Sequence, residues 1–285
     1  MAQLPPILVI NLARAEIRRA KIRERLEAQG LAFEFVEAVD GRHIDPAAHP
    51  LYDAERRRRV FGRDLTGGEI GCFLSHRSIL ERMVAERIEE VLVLEDDAIL
   101  GPDFLAVLAA IRACPVPYDM VRFFGDPRTA RRRQRRLFPL GGHHWLTRLA
   151  TASSGAQVYL IRLGGARRLL PRMQRIWMPV DALMGRSWAH GLRWFTVNPP
   201  VADYDRLLGS DIGDDRFFVT LEFGPARRAL HLLSRFAFKA VTAMGKRWTY
   251  WSAWPSDRRY LNMPSITAGA GSGLRPIKES DRAPG

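Results

Sequence analysis

The chain is poor in cysteine, with only Cys72 and Cys114 in 285 residues. Neither cysteine has the spacing of a metal site, and two thiols do not make the disulfide framework of a small secreted domain. We expect both to be reduced side chains that serve packing, as is typical of cytosolic proteins.

Long apolar runs are lacking as well. Near the start, the apolar run covers only residues 7–12 and follows prolines rather than basic residues, so the sequence predicts no secretory signal. No run approaches the roughly 18 apolar residues that a membrane-spanning helix needs. These absences predict a cytoplasmic protein and leave open a peripheral position on the inner face of the cytoplasmic membrane. No internal repeat is visible, and the oligomeric state stays open.

Acidic residues are scarce relative to basic ones: 31 Asp and Glu stand against 44 Lys and Arg, a formal net charge of +13. Such an excess predicts a polyanionic partner, which is nucleic acid, an anionic membrane surface or a phosphorylated substrate. Apolar residues make up 47% of the chain, enough for a substantial core in one large domain or two small ones.

Hydrophobic periodicity predicts an α/β protein. Residues 7–10 predict a buried strand, residues 14–29 a helix with Ile22 and Leu26 on its inner side, and residues 33–36 a second strand. Strand, helix and strand in this order imply a parallel pair in an α/β sheet.

Residues 42–65 show no regular pattern, and we expect them to be irregular. Thr66 and Glu69 have the spacing of a capping box, so a helix is predicted to begin there and to run to about residue 86. Further elements are predicted as strands at residues 120–124, 157–161 and 193–197 and as helices at residues 103–113 and 164–174.

The most informative stretch is residues 91–97, Val-Leu-Val-Leu-Glu-Asp-Asp. Four branched apolar residues predict a buried strand, and three carboxylates follow it without a gap. Such carboxylates repel one another unless a cation neutralises them, and ligands gather at the carboxyl ends of strands in α/β sheets. Because Glu95 and Asp97 are two residues apart, an extended chain would place them on one side. The pair suits Mg²⁺ or Mn²⁺, although a solvated acidic turn would show the same pattern.

Two basic segments stand apart. Residues 126–148 predict a mobile basic loop, and residues 225–247 predict a helix with one apolar stripe and many basic residues. That helix either packs its stripe on the rest of the protein or lies in a membrane interface with Trp248, Trp251 and Trp254 as anchors. The sequence thus predicts a catalytic domain at residues 1–224, a basic amphipathic segment at residues 225–264 and a disordered tail at residues 265–285.

Several segments together form an ordered set of motifs over residues 5–215. They are Val9-Ile10-Asn11-Leu12, Ala38-Val39-Asp40-Gly41, Gly68-Glu69-Ile70-Gly71-Cys72 with Ser75-His76, Leu94-Glu95-Asp96-Asp97, Pro179-Val180-Asp181, Pro199-Pro200-Val201 and Ser210-Asp211-Ile212-Gly213. In this order they resemble family 25 glycosyltransferases, which include bacterial lipooligosaccharide galactosyltransferases and collagen galactosyltransferases. The chain departs from the family at Ala13, where an acid is common.

The resemblance implies a GT-A-like nucleotide-sugar-binding α/β sandwich with a mixed, mainly parallel sheet. It also implies an inverting hexosyltransferase that uses a UDP-sugar donor, often UDP-galactose, a glycan or glycolipid acceptor such as the lipopolysaccharide core, and Mn²⁺ or Mg²⁺.

Site residues follow from matching these motifs to the chemistry. Glu95 and Asp97 are predicted to hold the metal, which bridges the phosphates of the leaving group. Asp181 is predicted to take the proton of the acceptor hydroxyl, although a structural Asp that caps the next helix fits the same position. The residues predicted to bind the donor are Asn11, Arg14, Asp40, Glu69, Asp96 and Asp211. A Ser75–His76 pair without a nearby acid indicates packing rather than a catalytic triad.

Two rival hypotheses remain. A basic nucleic-acid-binding protein would account for the charge and for the arginines at positions 128–136, but no recognition motif accompanies them. An inactive transferase-like scaffold would keep the fold without catalysis, and the intact Glu95-Asp96-Asp97 motif argues against it.

Overall fold

The computed structural model describes residues 4–125, 133–151, 155–208, 224–261 and 263. Its strands are β1 Ile7–Asn11, β2 Glu34–Glu37, β3 Glu90–Glu95, β4 Ala98–Leu100, β5 Met120–Arg122, β6 Gln134–Pro139, β7 Trp145–Leu149, β8 Val158–Arg162, β9 Trp194–Asn198 and β10 Ala202–Tyr204. Its α-helices are α1 Glu16–Glu27, α2 Ala54–Phe61, α3 Gly67–Ala85, α4 Phe104–Ala113, α5 Leu163–Leu169, α6 Val180–Met184, α7 Ser187–His190, α8 Pro225–Ser252 and α9 Trp254–Asp257.

Eight strands form one mixed sheet in the order β2-β1-β3-β8-β5-β9-β7-β6. Strand β1 pairs in parallel with β2 and β3, and β5 pairs in parallel with β9. Strands β8 and β7 run against their neighbours, so six of the eight strands point the same way. The predicted α/β class with a mixed, mainly parallel sheet is confirmed. Strands β4 and β10 form a separate antiparallel pair.

The two faces of the sheet bury separate cores because side chains alternate along each strand. In β1, Leu8 and Ile10 face a core that includes residues of α3 and α5. Ile7 and Val9 face the other core, which includes residues of α1 and α4. Helices thus cover both faces, which leaves the ends of the strands as the place for a ligand.

Helix α3 begins as predicted. Thr66 Oγ1 accepts the N–H of Glu69 at 3.1 Å, and Glu69 Oε2 accepts the N–H of Thr66 at 3.0 Å. The helix also passes close to the chain after β2, since a Cβ on Gly71 would lie 2.5 Å from the carbonyl oxygen of Val39. Glycine at position 71 therefore allows the capped end of α3 to contact the loop that carries Asp40.

Residues 42–65 were expected to be irregular, and this is wrong for α2. Asp53 accepts the N–H of Arg56 at the start of this helix, and Gly62 ends it in the left-handed conformation. A run of four arginines is typical of a solvated segment, so the sequence pattern gave no sign of a packed helix. In the structure, however, Arg57 is only 1% exposed. Its guanidinium lies 4.2 Å from the Phe61 ring centroid, a contact that hydropathy does not register.

The predicted mobile basic loop at residues 126–148 is also wrong over its second half, where β6 and β7 form an antiparallel hairpin. Residues 126–132 lie outside the described part of the chain. Two arginines of the hairpin are buried: Arg135 and Arg148 both donate to Asp257 of α9. Arg135 also lies 4.4 Å from the Tyr250 ring centroid. Arg135 and Arg148 are thus bound by the C-terminal segment, a pairing that no local pattern predicts.

Helix α8 contacts the remainder of the molecule along one side. Phe238 packs against Phe61 and Trp177, with ring centroids 5.1 and 5.8 Å away. Further along, Gly245 faces the indole of Trp188, and Tyr250 is buried. Among the described residues, no helix has the length and apolar character needed to span a membrane. The predicted tail at residues 265–285 lies outside the described residues.

Candidate functional site

Four strands that point the same way end at one edge of the sheet. Asn11 ends β1, Glu95 ends β3, Arg122 ends β5 and Asn198 ends β9. Because the carboxyl ends of these strands meet, the sheet brings together segments that are far apart in sequence. Most of the predicted site residues lie here or in the loops that follow.

The three acids do not continue the strand. Strand β3 ends at Glu95, and Asp96 and Asp97 form a turn before β4, so the expected extended arrangement of Glu95 and Asp97 is wrong. The two carboxylates nevertheless interact. Burial, followed by the nearby charge of Glu95, raises the pKa of Asp97 to about 7, and Arg18 opposes this shift.

Asp96 is held by residues from the first strand and helix. Asn11 Nδ2 donates to Asp96 Oδ2 at 2.8 Å, and the guanidinium of Arg18 pairs with Asp96 Oδ1 at 2.5 Å and with Asp97 Oδ2 at 3.3 Å. The structure therefore unites two predicted donor-binding residues, Asn11 and Asp96. It also places Arg18 against the acids themselves.

Arg18 pairs with Asp96 Oδ1 and Asp97 Oδ2, but the acidic turn keeps one oxygen without a partner in the described part of the chain. Asp97 Oδ1 is buried and has no hydrogen-bond partner among the described residues. A buried carboxylate oxygen without a donor is costly, whereas carboxylate oxygens are the ligands that Mg²⁺ and Mn²⁺ prefer. The donor set at Glu95 and Asp97 thus fits a hard divalent cation.

A second set of ligand atoms shares Glu95. Cys72 Sγ, His76 and Glu95 offer ligand atoms that all lie within 4.8 Å of one another. His76 Nε2 lies 3.3 Å from Glu95 Oε1, and His76 Nδ1 lies 3.0 Å from the Tyr159 hydroxyl. A thiol and an imidazole one helical turn apart suit a softer cation such as Zn²⁺.

The expectation that no acid lies near the Ser75–His76 pair is therefore wrong for His76, which contacts Glu95. Ser75 does have a structural role, because its hydroxyl donates to the carbonyl oxygen of Gly71 and accepts the N–H of Val39. The expectation that neither cysteine has metal-site spacing therefore overlooked Cys72, which lies one helical turn before His76; Glu95 joins the cluster only through the fold.

Two predicted donor-binding residues lie in loops: Asp40 follows β2, and Arg14 is in the turn between β1 and α1. Arg14 Nε donates to Asp40 Oδ2 at 3.0 Å, and Arg42 contacts the same carboxylate. Hydrogen bonds from Arg42, and then from Arg14, lower the pKa of Asp40 well below its usual range. Glu69, by contrast, has the contacts of a helix-capping residue, with Arg63 also 3.4 Å from its carboxylate. Asp211 lies outside the described residues.

Asp181 lines an open cavity of about 850 Å³. Its Oδ2 accepts the N–H of Gly155 at 3.0 Å, and its Oδ1 accepts the N–H of Ala182 at 2.7 Å. Arg122 lies behind it and donates to its backbone carbonyl oxygen at 3.3 Å, and burial lowers the Arg122 pKa to about 10. The carboxylate is therefore fixed in direction while it faces the cavity.

Aromatic residues that the sequence did not single out form part of the same cavity. Phe124 and Tyr204 both line it, with ring centroids 5.5 Å apart. The segment after Tyr204 is tied to the acidic turn, since the Asp205 N–H donates to the Asp97 carbonyl oxygen at 2.8 Å. Cavity and acidic turn are thus adjacent parts of one site.

The model of the family "Glycosyltransferase family 25 (LPS biosynthesis protein)" matches residues 4–184. The chain belongs to glycosyltransferase family 25. A "Glycosyltransferase 25 family member" of Anopheles gambiae is 36% identical over 177 residues, 59% of this chain and 28% of that protein. "Procollagen galactosyltransferase 2" of Homo sapiens is 38% identical over 95 residues, 32% of this chain and 15% of that protein.

Family membership does not decide activity. The "Inactive glycosyltransferase 25 family member 3" of Homo sapiens is 30% identical over 187 residues, 62% of this chain and 31% of that protein. The chain spans well under half the length of these curated relatives. Among solved structures, a glycosyltransferase involved in the glycosylation of the major capsid of PBCV-1 is 12% identical, covers 82% of this chain and all of its own, and has a TM-score of 0.38.

Proposed function

We propose that this family 25 member is an inverting, metal-dependent glycosyltransferase that moves a hexose, galactose in our proposal, from a UDP-sugar to a glycan acceptor. One observation carries the proposal. At the carboxyl end of β3, Asp97 keeps a buried carboxylate oxygen without a hydrogen-bond partner in the described chain, close enough to Glu95 for the two charges to interact. An active transferase accounts for that arrangement, whereas an inactive scaffold has no need of it.

Glu95 and Asp97 would hold the divalent cation, Mn²⁺ or Mg²⁺. When bound, such a cation supplies Lewis-acid stabilisation of the negative charge that develops on a nucleoside diphosphate leaving group. Asp96, held by Asn11 and Arg18, would face the donor from a fixed position. Arg18 partly neutralises the acids and so reduces their mutual repulsion before the cation arrives.

Asp181 is the proposed general base. Inversion by a single displacement requires that the acceptor hydroxyl lose its proton as it attacks the anomeric carbon. Each oxygen of Asp181 accepts one backbone hydrogen bond and retains a second lone pair. The carboxylate can thus receive the proton while the two N–H groups keep its orientation. Phe124 and Tyr204 would form an apolar wall of the same cavity.

The remaining donor contacts are assigned more simply. Asp40 and Arg14 follow the ends of β2 and β1, where the nucleotide would lie, and Arg14 would turn from Asp40 to a phosphate. Glu69 would act on the donor indirectly, through the start of α3, and Asp211 stays a prediction. We further propose that the catalytic domain ends near residue 224.

The proposed acceptor is a glycolipid such as the lipopolysaccharide core. We propose that the protein works in the cytoplasm, at the inner face of the membrane where such acceptors are assembled. One arginine of the 128–136 run that indicated nucleic acid is already bound within the protein, because Arg135 is buried against Asp257. Nucleic acid is therefore not proposed as a partner.

A thermal-shift series with the full chain tests the proposal. UDP-galactose, UDP-glucose and UDP-N-acetylglucosamine are each added with and without Mn²⁺, with ADP-glucose as the matched control. We expect a rise in melting temperature with one UDP-sugar, dependent on Mn²⁺, because a ligand that binds only the folded state stabilises it by mass action. Release of UDP on addition of acceptor then tests turnover. Binding without any release of UDP would favour the inactive scaffold, and no binding would contradict the proposal.

A further inference from the structure

The outward side of helix α8 is an exposed apolar face. We define this outer face by Leu233, Phe236, Met244 and Trp248, which are all largely exposed. At about 100° per residue, Leu233, Phe236 and Met244 point away from Phe238 and Gly245, which contact the remainder of the molecule, and Trp248 lies at the edge of this face. Other exposed apolar side chains of this helix, nearer the edges of the face or at its end, are Leu230, Leu232 and Trp251.

The sequence allowed two interpretations of the apolar stripe at residues 225–247: it packs on the core, or it lies in a membrane interface. Helix α8 meets the core through a different side, because its contacts with Phe61, Trp177 and Trp188 come from Phe238 and Gly245. Leu233, Phe236 and Met244 stay largely exposed, whereas Trp251, at the end of the stripe, is contacted by Arg133. A contiguous exposed apolar face on a basic helix indicates an interaction surface.

The charge of this segment identifies the partner. Residues 224–261 contain eight Lys and Arg and one acid, Asp257. Asp257 is 2% exposed and is held by Arg135 and Arg148, so it contributes no accessible negative charge. On the helix, Arg228, Arg235 and Lys239 project along one flank of the outer face. An anionic surface complements this flank, whereas a second copy of the chain would set basic flank against basic flank.

We propose that the outer face of α8 lies in the interface of an anionic membrane. In this arrangement Phe236, Leu233 and Met244 enter the acyl boundary while the basic flank contacts lipid phosphates, as in other interfacial amphipathic helices. Trp248 suits the headgroup level. This face would account for the position at the inner face of the membrane that we propose above. Binding of the membrane by this face does not require that the protein be catalytically active.

A charge placed on the outer face tests this. The full chain, the Phe236→Glu variant and the Ile17→Glu variant are each sedimented with vesicles of phosphatidylcholine that contain 30% phosphatidylglycerol. Phe236 is 74% exposed and Ile17, on α1, is 73% exposed, so the two variants introduce the same charge at equally exposed apolar positions. We expect Phe236→Glu to weaken vesicle binding about tenfold or more, because a carboxylate resists entry into the acyl region. Ile17→Glu should bind as the unaltered chain does.

The outcomes separate the hypotheses. Equal vesicle binding by Phe236→Glu and the unaltered chain would overturn the proposal, as would equal loss in both variants. A second copy as the occupant would appear as a dimer in sedimentation velocity that Phe236→Glu dissociates, with no vesicle binding by either form. Binding of UDP-sugar, measured on the same variants without vesicles, should be unchanged, so a failure here is distinct from a failure of the proposed transferase.

Discussion

Asp97 makes the proposed metal site sensitive to pH, because its pKa is raised to about 7. Below that pH the carboxyl holds a proton that a cation must displace, and above it the carboxylate is free to bind. We therefore expect the apparent Kd for Mn²⁺ to fall as pH rises from 6 to 8, by up to about tenfold for each pH unit below 7. Electron paramagnetic resonance of free Mn²⁺ measures this, and a Kd independent of pH would contradict it.

The buried carboxylate of Asp97 also lowers the stability of the metal-free protein at neutral pH. A raised carboxyl pKa means that the folded state binds the proton more tightly than the unfolded state, so between about pH 4 and 7 the free energy of unfolding falls as pH rises. We expect Asp97→Asn to raise the melting temperature of the metal-free protein at pH 7.5 by at least about 2 °C, and to have little effect near pH 4.

Asp97→Asn should at the same time remove function. With the hard oxygen ligand gone, we expect UDP release from the UDP-sugar in the presence of Mn²⁺ to fall roughly 100-fold or more. Asp45→Asn is the matched control, because Asp45 is an exposed carboxylate that accepts the N–H of Ala47 and an asparagine can do the same. Full activity of Asp97→Asn would reject Asp97 as a metal ligand.

The Cys72, His76 and Glu95 cluster predicts inhibition by Zn²⁺. A softer cation held by the thiolate and imidazole would also occupy Glu95 and so exclude the hard cation. We expect Cys72→Ser to raise the Zn²⁺ concentration for half-inhibition about tenfold or more, while Cys114→Ser leaves it unchanged. Co²⁺ spectroscopy supplies an independent measure, since the thiolate charge-transfer band should appear in the unaltered chain and be lost in Cys72→Ser.

At the scale of single elements, the sequence predicted what local rules determine. Helix α3 begins at its capping box, and β1, β3 and β9 follow from short apolar runs. Helix α2 and the β6–β7 hairpin were missed, because both are stabilised by buried arginines, which the sequence pattern treats as solvated. Arg57 stacks on Phe61, and Arg135 is paired with Asp257, 122 residues away in sequence. A side chain that reads as solvated in a window of ten residues can be buried once the chain folds.

The capping box of α3 gives a prediction at this scale. Thr66→Ala removes the hydroxyl that accepts the Glu69 N–H and should lower the free energy of unfolding by about 1 kcal/mol. Thr66→Ser keeps the acceptor and should cost a few tenths of that. Urea denaturation measures both variants, and equal losses for Ala and Ser would show that the methyl group rather than the cap is responsible.

The candidate site was predictable only where its residues are contiguous in sequence. Glu95, Asp96 and Asp97 are contiguous, so their role could be inferred from one segment. Asn11 reaches Asp96 only because β1 and β3 are parallel neighbours with Ile10 beside Glu95. The contact of His76 with Glu95, and the cavity shared by Asp181 and Tyr204, require the assembled sheet.

For the whole molecule, one buried acid connects the sheet to the C-terminal segment. Asp257 accepts from Arg135 of β6 and from Arg148 of β7, the latter at 2.7 and 2.9 Å. Asp257→Ala would leave two buried guanidinium groups without their carboxylate and should lower the free energy of unfolding by about 3–5 kcal/mol. Glu34→Ala, which removes an exposed partner of Arg82, should cost at most about 1 kcal/mol. Chemical denaturation compares the two, and similar losses would contradict a special role for Asp257.

The rigid seating of α8 against α2 and α7 has a consequence for substrate selection. Phe238 is clamped by Phe61 and Trp177, and Arg186 beside α7 donates to Thr242 at 3.1 Å. These contacts fix the orientation of α8 relative to the sheet. If the outer face of α8 lies on a bilayer as proposed, the distance from the membrane to Asp181 is then fixed as well, and we would expect the protein to select lipid-linked glycans by their length.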